Sequence, residues 1–189
     1  FEEARPVDLQ FSLPPLVLNA YQQKSSTHLE DWLQGLAYPS DETTFFNFLA
    51  SHDGIGIMPV KEMLCQEEIN GLIEKTENNG GKISYKTNQD GTKSPYELNI
   101  NYFDALYDET EELDENILKF IGAYCIAFSL KGIPGLYIHS LLGSRNWYRG
   151  VENTGQNRAI NREKLQYDVL TTELNNEATL RSRIFRRLK

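Results

Sequence analysis

Two periods of apolar and polar positions alternate along the chain. Residues 7–11 make a short β-prone run, punctuated by Pro14 and Pro15. Leu16, Val17, Leu18 and Ala20 then open a helical stretch, and Ser26 or Thr27 stands where it can cap a second helix carrying Leu29, Trp32, Leu33 and Leu36. Such side-chain oxygens satisfy the free N–H groups of a first turn. Residues 43–50 read TTFFNFLA, aromatic and nearly continuously apolar, as in a strand buried on both faces of a parallel sheet. This run leads directly into Ser51-His52-Asp53-Gly54-Ile55-Gly56.

Residues 67–76 are amphipathic, with Ile69, Leu72 and Ile73 on one side, and Asn78-Asn79-Gly80-Gly81 supplies the chemistry to stop that helix. Followed by Lys82, it lacks the spacing of a phosphate-binding loop. β-prone pieces around residues 83–85 and 97–101 flank the turn residues Asn88-Gln89-Asp90-Gly91. The acidic run at 108–115 precedes a periodic segment with Ile117, Phe120, Ile121, Tyr124, Cys125 and Phe128. Acidic groups suit the positive end of a helix, so the run is expected to be cap and solvated face rather than a metal site. Gly132-Ile133-Pro134-Gly135 leads into a strand ending at His139, a polar loop runs from Ser140 to about Asn161, and one helix is expected over residues 172–189. Its basic residues Arg181, Arg183, Arg186, Arg187 and Lys189 are expected on a solvated face and last turn.

Alternating strands and helices predict an α/β fold of parallel βα units. Three parts are expected: residues 1–60 with two strands and their helices, residues 61–104 as a small α+β insertion, and residues 105–189 with a helix, the third strand, a loop and the last helix. No internal repeat at a fixed period is visible.

Composition narrows the function classes. The 189 residues, 40% of them hydrophobic, suffice for one globular core. A formal net charge of -8 disfavours nucleic acid as a partner. No apolar run is long enough to span a bilayer. No secretory leader and no Asn-x-Ser/Thr acceptor is visible, so a cytoplasmic protein is expected, processed or part of something longer. Cys65 and Cys125 are far apart and match no metal spacing; both are expected as free thiols, Cys125 in the core. His28 is expected to be exposed before a helix. His139 would end a strand, either facing a site or packed.

The sharpest chemical feature is the apolar strand that ends in His52 and Asp53. In βα architectures functional groups gather at the C-terminal ends of strands. On the residues alone, the simpler reading has Asp53 capping a turn that the adjacent glycines relieve.

Four segments, in order, resemble one family. FLASHDGIG resembles the fourth signature region of glycoside hydrolase family 13 in the form typical of sucrose phosphorylases. FSLPPLVLNA at residues 11–20 resembles the strand-to-helix segment preceding it, GIPGLYIHSLLGSRN at 132–146 the eighth barrel strand and its loop, and NRAINR at 157–162 the Arg-x-Ile-Asn-Arg segment after that loop. The segments LLGSRN and NRAINREK are similar to the glucosylglycerate-phosphorylase branch.

The resemblance implies a partial (β/α)8 TIM barrel, about strands six to eight, with the small α+β insertion subdomain. It implies a retaining glucosyl-transferring phosphorylase that turns an α-glucoside and inorganic phosphate into glucose 1-phosphate and an acceptor, with no metal and no cofactor. Retaining enzymes need a nucleophile and an acid/base carboxylate flanking the anomeric carbon. In the family these end the fourth and fifth strands and match no position here, so the isolated chain is expected to be inactive. Asp53 matches the third carboxylate, the transition-state stabiliser, and His52 and Arg158 match residues that bind the glucosyl unit. Tyr96 and Glu97 stand where sucrose phosphorylases carry a Tyr-Gln pair facing acceptor and phosphate, and Glu97 departs from that pattern, which puts sucrose in doubt. Arg145, after the eighth strand, could grip phosphate or an acidic acceptor by a bidentate contact, or be a solvated loop cation. Expected partners are α-glucoside, phosphate, and the rest of the barrel or a second copy. A non-catalytic sugar- or protein-binding βα module is the competing reading.

Overall fold

The computed structural model of the protein describes residues 7–37, 40 and 42–189; positions 1–6 of the first expected part lie outside them. The chain opens with strand β1 (Val7–Leu9) and helix α1 (Leu13–Gln23). Pro14 and Pro15 occupy the first turn of α1, where a missing N–H costs nothing and a fixed φ already fits the helix. The prolines therefore start the helix instead of only punctuating it. Helix α2 (Thr27–Gly35) follows with Ser26 at its N-cap, then β2 (Thr44–Phe48) and the two-residue β3 (Ile55–Gly56).

Helix α3 (Gln66–Asn78) begins at Cys65, whose N–H donates to the Glu68 carboxylate at 2.9 Å. It ends at the double glycine, where Gly80 takes a φ of 76°, a left-handed stop open to glycine without strain. Strands β4 (Lys82–Thr87) and β5 (Lys93–Asn99) form a hairpin, followed by α4 (Tyr102–Leu106) and α5 (Leu113–Ser129). The acidic run folds as a cap around buried Asn116, whose side chain accepts from the Asp108 N–H at 2.7 Å and donates to the carbonyls of Asp108, Glu111 and Glu112. The remaining elements are β6 (Ile133–Gly135), α6 (Ile138–Leu141), α7 (Tyr148–Thr154), α8 (Tyr167–Asn175) and α9 (Leu180–Leu188).

β1, β2 and β6 pair in parallel in that order, with Leu9 opposite Phe46 and Phe46 opposite Ile133. The long crossovers between them make parallel pairing the expected outcome. Gly132, at a φ of 141°, lets β6 close on β2, because a Cβ there would stand 2.6 Å from the Phe45 carbonyl oxygen. Buried Asn47 secures the same junction by donating to the carbonyls of Leu130 and Lys131. A second, antiparallel sheet has the order β3-β5-β4. One core serves both sheets. It runs from Leu13, Leu16 and Val17 through Leu49, Ile57, Leu98 and Ile100 to Tyr102, Phe120, Tyr124 and Ile184.

Several expectations are corrected. The strand expected to reach His139 stops at Gly135, and His139 lies buried in α6, its Nδ1 2.9 Å from the Ser144 hydroxyl. Tyr137 is extended and its carbonyl accepts the N–H groups of Ser140 and Leu141, which turns an apolar run into a helix start. The polar loop holds α6 and α7, both too short to show a period. The single C-terminal helix is two, because Thr179 caps α9 by accepting the Ser182 N–H and its hydroxyl donates to the Glu173 carbonyl. Arg181 turns inward from that helix to Glu163, Glu173 and Ser144. Cys125 is exposed, not core; both cysteines are free and exposed. Helix α5 carries a second apolar face with Leu118, Cys125 and Phe128, and periodicity cannot tell which of two apolar faces meets the core. His28 is half-exposed, 3.0 Å from Glu68. No helix of the described residues is long and apolar enough to cross a membrane.

Candidate functional site

The site starts where β2 runs out. Phe45, Phe48 and Leu49 are buried, so the strand end is held from below. The Asp53 N–H donates to the Ser51 hydroxyl at 3.1 Å, a local turn typical of Ser. It leaves the Asp53 carboxylate 40% exposed. Gly54 then passes β5 so closely that a Cβ would stand 2.6 Å from Glu97 Cγ and 2.7 Å from the Leu98 carbonyl oxygen. β3 pairs Ile55 with Leu98 and Gly56 with Glu97. A glycine and a two-residue strand thus set the Glu97 carboxylate beside Asp53, although 44 positions of sequence separate them.

The other half comes from a single turn of 3-10 helix at Asn157–Asn161. Arg158 bridges the two carboxylates: its Nη1 donates to Asp53 Oδ1 at 2.7 Å, its Nε to Glu97 Oε1 at 2.9 Å and its Nη2 to Glu97 Oε2 at 2.6 Å. The Glu97 side chain is only 6% exposed, so this fork supplies the counter-charge a buried carboxylate requires. Hydrogen bonding to Glu97 raises the pKa of Arg158 further above its ordinary value, against the opposing effect of burial. Arg162, four residues on, donates from Nε to the His52 carbonyl at 2.6 Å and from Nη2 to Asp53 Oδ1 at 3.1 Å. Buried Asn161 donates to the carbonyls of Ser51 and Asp53 at 3.2 and 2.9 Å, and its own carbonyl accepts the Tyr137 hydroxyl at 2.9 Å. Backbone and side chain of Asp53 are therefore both held by one short segment.

His52 is 72% exposed, its Nε2 3.7 Å from Asp53 Oδ2, at the mouth of this cluster. Tyr96 is half-buried on β5, with its carbonyl accepting the Ile57 N–H and its side chain within electrostatic reach of Arg158. The structure brings together Asp53, His52, Glu97 and Arg158 with Tyr96 alongside. It places Arg145 in a different cluster. There the guanidinium pairs with buried Asp104 and lies over the rings of Phe103 and Tyr107, 5.2 and 4.7 Å from their centroids.

The sequence reading did not single out Arg162, Asn161 or Tyr137. For Arg162 and Asn161 the signal was two arginines four apart with an Asn between them, which puts three polar groups on adjoining turns; nothing local marks Tyr137. A cavity of about 40 Å³ beside Asp53 is lined by Phe11, Phe48 and the 53–56 turn. Cavities of about 430 and 470 Å³ exist elsewhere, but no residue of the Asp53 cluster lines either. The cluster carries the chemistry because charge converges there at a strand end, whatever the size of the hollows. Among the described residues no group of three His, Cys, Asp or Glu could hold a metal ion.

No family model matches the sequence. The chain is 50% identical over 179 residues to the glucosylglycerate phosphorylase of Escherichia coli (strain K12), covering 95% of this chain and 32% of that protein. To the glucosylglycerate phosphorylase of Spirochaeta thermophila it is 46% identical, covering 93% and 30%. To the sucrose phosphorylase of Streptococcus mutans it is 28% identical, covering 87% and 32%. The solved structure of sucrose 6F-phosphate phosphorylase from Thermoanaerobacter thermosaccharolyticum superposes with a TM-score of 0.77 at 23% identity, over 96% of this chain and 34% of that one. At that identity the superposition speaks for the fold alone. The homologues of this chain are glucosylglycerate and sucrose phosphorylases, enzymes of the family 13 type, and the chain spans about a third of the length of the relatives it matches.

Proposed function

We propose that this chain forms strands six to eight of the catalytic (β/α)8 barrel of a retaining, glucosyl-transferring phosphorylase, with residues 61–104 as an insertion that lends Tyr96 and Glu97 to the acceptor side. The observation that carries this reading is the Arg158 bridge between Asp53 and Glu97 at the end of a parallel strand. It holds one carboxylate rigid and the other half-open. Positive charge develops at the anomeric centre of an oxocarbenium-like transition state, and hydrogen bonds from the sugar hydroxyls to a fixed carboxylate strengthen there. Asp53 has that role. His52 and Arg158 contact the glucosyl unit.

The reaction is a double displacement. A carboxylate attacks the anomeric carbon of the α-glucoside as the glycosidic C–O bond breaks, and the acid/base carboxyl protonates the leaving oxygen. Phosphate then displaces the enzyme carboxylate while the acid/base group takes back a proton, so two inversions give retention. Neither reacting carboxylate matches a position among these residues. They come from the remainder of the barrel, so the isolated chain does not turn over. The donor is glucosylglycerate, as in the names of the relatives from E. coli and S. thermophila, and inorganic phosphate is the second substrate. Arg145 gives its Nε to Asp104, outside the Asp53 cluster, and has no part in this reading. The test is glucose 1-phosphate release from glucosylglycerate and phosphate by the full-length protein. Release is expected from that protein, and from this chain only after mixing with the rest of the barrel. No release from the full-length protein sinks the reading.

A further inference from the structure

Resting on that reading, we propose that Arg162 recognises the oxyanion of the incoming acceptor, phosphate or carboxylate. Each of the two arginines at Asp53 has a different share of its donors in use. Arg158 commits Nε and Nη2 to Glu97 and Nη1 to Asp53. Turning it to an incoming anion would leave the buried Glu97 carboxylate without its counter-charge, which is strongly unfavourable. Arg162 is anchored by the neutral His52 carbonyl and shares Asp53 Oδ1. Its Nη1 has no partner among the described residues, and its side chain is 37% exposed beside the exposed His52 ring.

Charge points the same way. Asp53 and Glu97 contribute two negative charges and Arg158 one positive. Without Arg162 the cluster would carry a net negative charge and repel a second anion. With it the cluster is balanced, and part of a planar, permanently charged fork stays exposed to solvent. Such a fork matches carboxylate and phosphate oxygens. Arg162 is held by a backbone carbonyl at Nε and only shares one carboxylate oxygen that Arg158 already pairs, so it is prepared for a ligand in a way that Arg158 is not.

The test uses the full-length protein in both directions. KM for phosphate is measured in phosphorolysis. In the reverse direction, glucosyl transfer from glucose 1-phosphate is compared between glycerate and its neutral analogue glycerol. Arg162→Gln is expected to raise KM for phosphate, or to lower the preference for glycerate over glycerol, by roughly tenfold or more, the scale of one charge-assisted hydrogen bond. A change with phosphate alone assigns the inorganic anion, a change with glycerate alone assigns the acceptor carboxylate, and both together assign one shared subsite. Arg162→Lys, which keeps the charge and loses the fork, should fall between wild type and Arg162→Gln. A merely structural role would depress glycerol and glycerate equally and leave KM for phosphate unchanged, and that result overturns the proposal. If Arg162→Gln yields no folded protein, wild-type values for Arg162→Lys overturn it as well. Wild-type protein without any phosphorolysis would instead sink the functional reading beneath it.

Discussion

Two arginine–carboxylate clusters tie the segment after α6 to the β5–α4 region, and they are built to opposite ends. Around buried Asp104 both carboxylate oxygens accept a hydrogen bond. Arg145 pairs with one oxygen, the Asn146 N–H donates to the other at 2.6 Å, and the guanidinium lies over the aromatic rings of Phe103 and Tyr107. Asn101 closes the knot by donating to the carbonyls of Arg145 and Ile160, and Asn79 by donating to those of Asp104 and Tyr107. Around Asp53 two guanidiniums converge on the single oxygen Oδ1, while Oδ2 lies 3.7 Å from the exposed His52 ring and accepts no hydrogen bond among the described residues. The same residue types thus make a staple in one place and an open site in the other. The difference lies in the burial of the aspartate, 5% exposed at Asp104 and 40% at Asp53, not in composition.

The sharpest way to break this contrast is at the two aspartates. Asp53→Asn in the full-length protein is expected to lower phosphorolysis by several orders of magnitude, on the order of 10³-fold or more, with little change in thermal unfolding. Near-normal turnover would return Asp53 to the role of a turn residue. Asp104→Ala should do the reverse. Leaving the Asn146 N–H and Arg145 without their acceptor should cost about 2 kcal/mol of stability, within the usual range for such a buried loss. That appears as a lowered midpoint in urea or heat, with a much smaller effect on turnover than Asp53→Asn.

A pH series sharpens the same pair. Burial pushes the Asp104 carboxyl above its ordinary value of 3.8, with Arg145 opposing the shift. A carboxyl raised on folding favours the native state most while protonated. Its contribution is therefore full below its ordinary value and lost as pH rises through the raised folded value. The stability advantage of wild type over Asp104→Ala is expected to shrink as pH increases from about 4 towards 7. A gap that widens over that range would mean that Arg145, not burial, controls the group. The smallest effect belongs to Tyr137→Phe, which removes one hydroxyl bond to the Asn161 carbonyl. About 1 kcal/mol or less of stability, and a few-fold fall in kcat through a looser Asp53 turn, would be read from unfolding and steady-state rates. No change in either would show that Asn161 holds the Asp53 turn unaided.

Much of this was legible in the chain itself, for physical reasons that are local or periodic. Apolar residues 44–48, the crossovers around them and the glycine stops dictate parallel βα units, because a strand buried on both faces and a connection of more than a dozen residues leave few other arrangements. His52 and Asp53 could be placed at a strand end from the run that precedes them, and family-like segments pointed to Glu97 and Arg158. Where the reading departed from the structure, the deciding contacts were distant or short. Prolines started α1, Thr179 split the C-terminal helix, and the apolar face of α5 that holds Cys125 turned outward. Which arginine goes where was decided by tertiary structure alone. Arg145 and Arg158 are equivalent as loop cations in the sequence, but Gly54 against β5 and the β3–β5 register bring Glu97 and Asp53 to Arg158, while α4 presents Asp104 to Arg145. A charged side chain finds its role from the nearest unsatisfied counter-charge in space, and only the folded backbone determines which one that is.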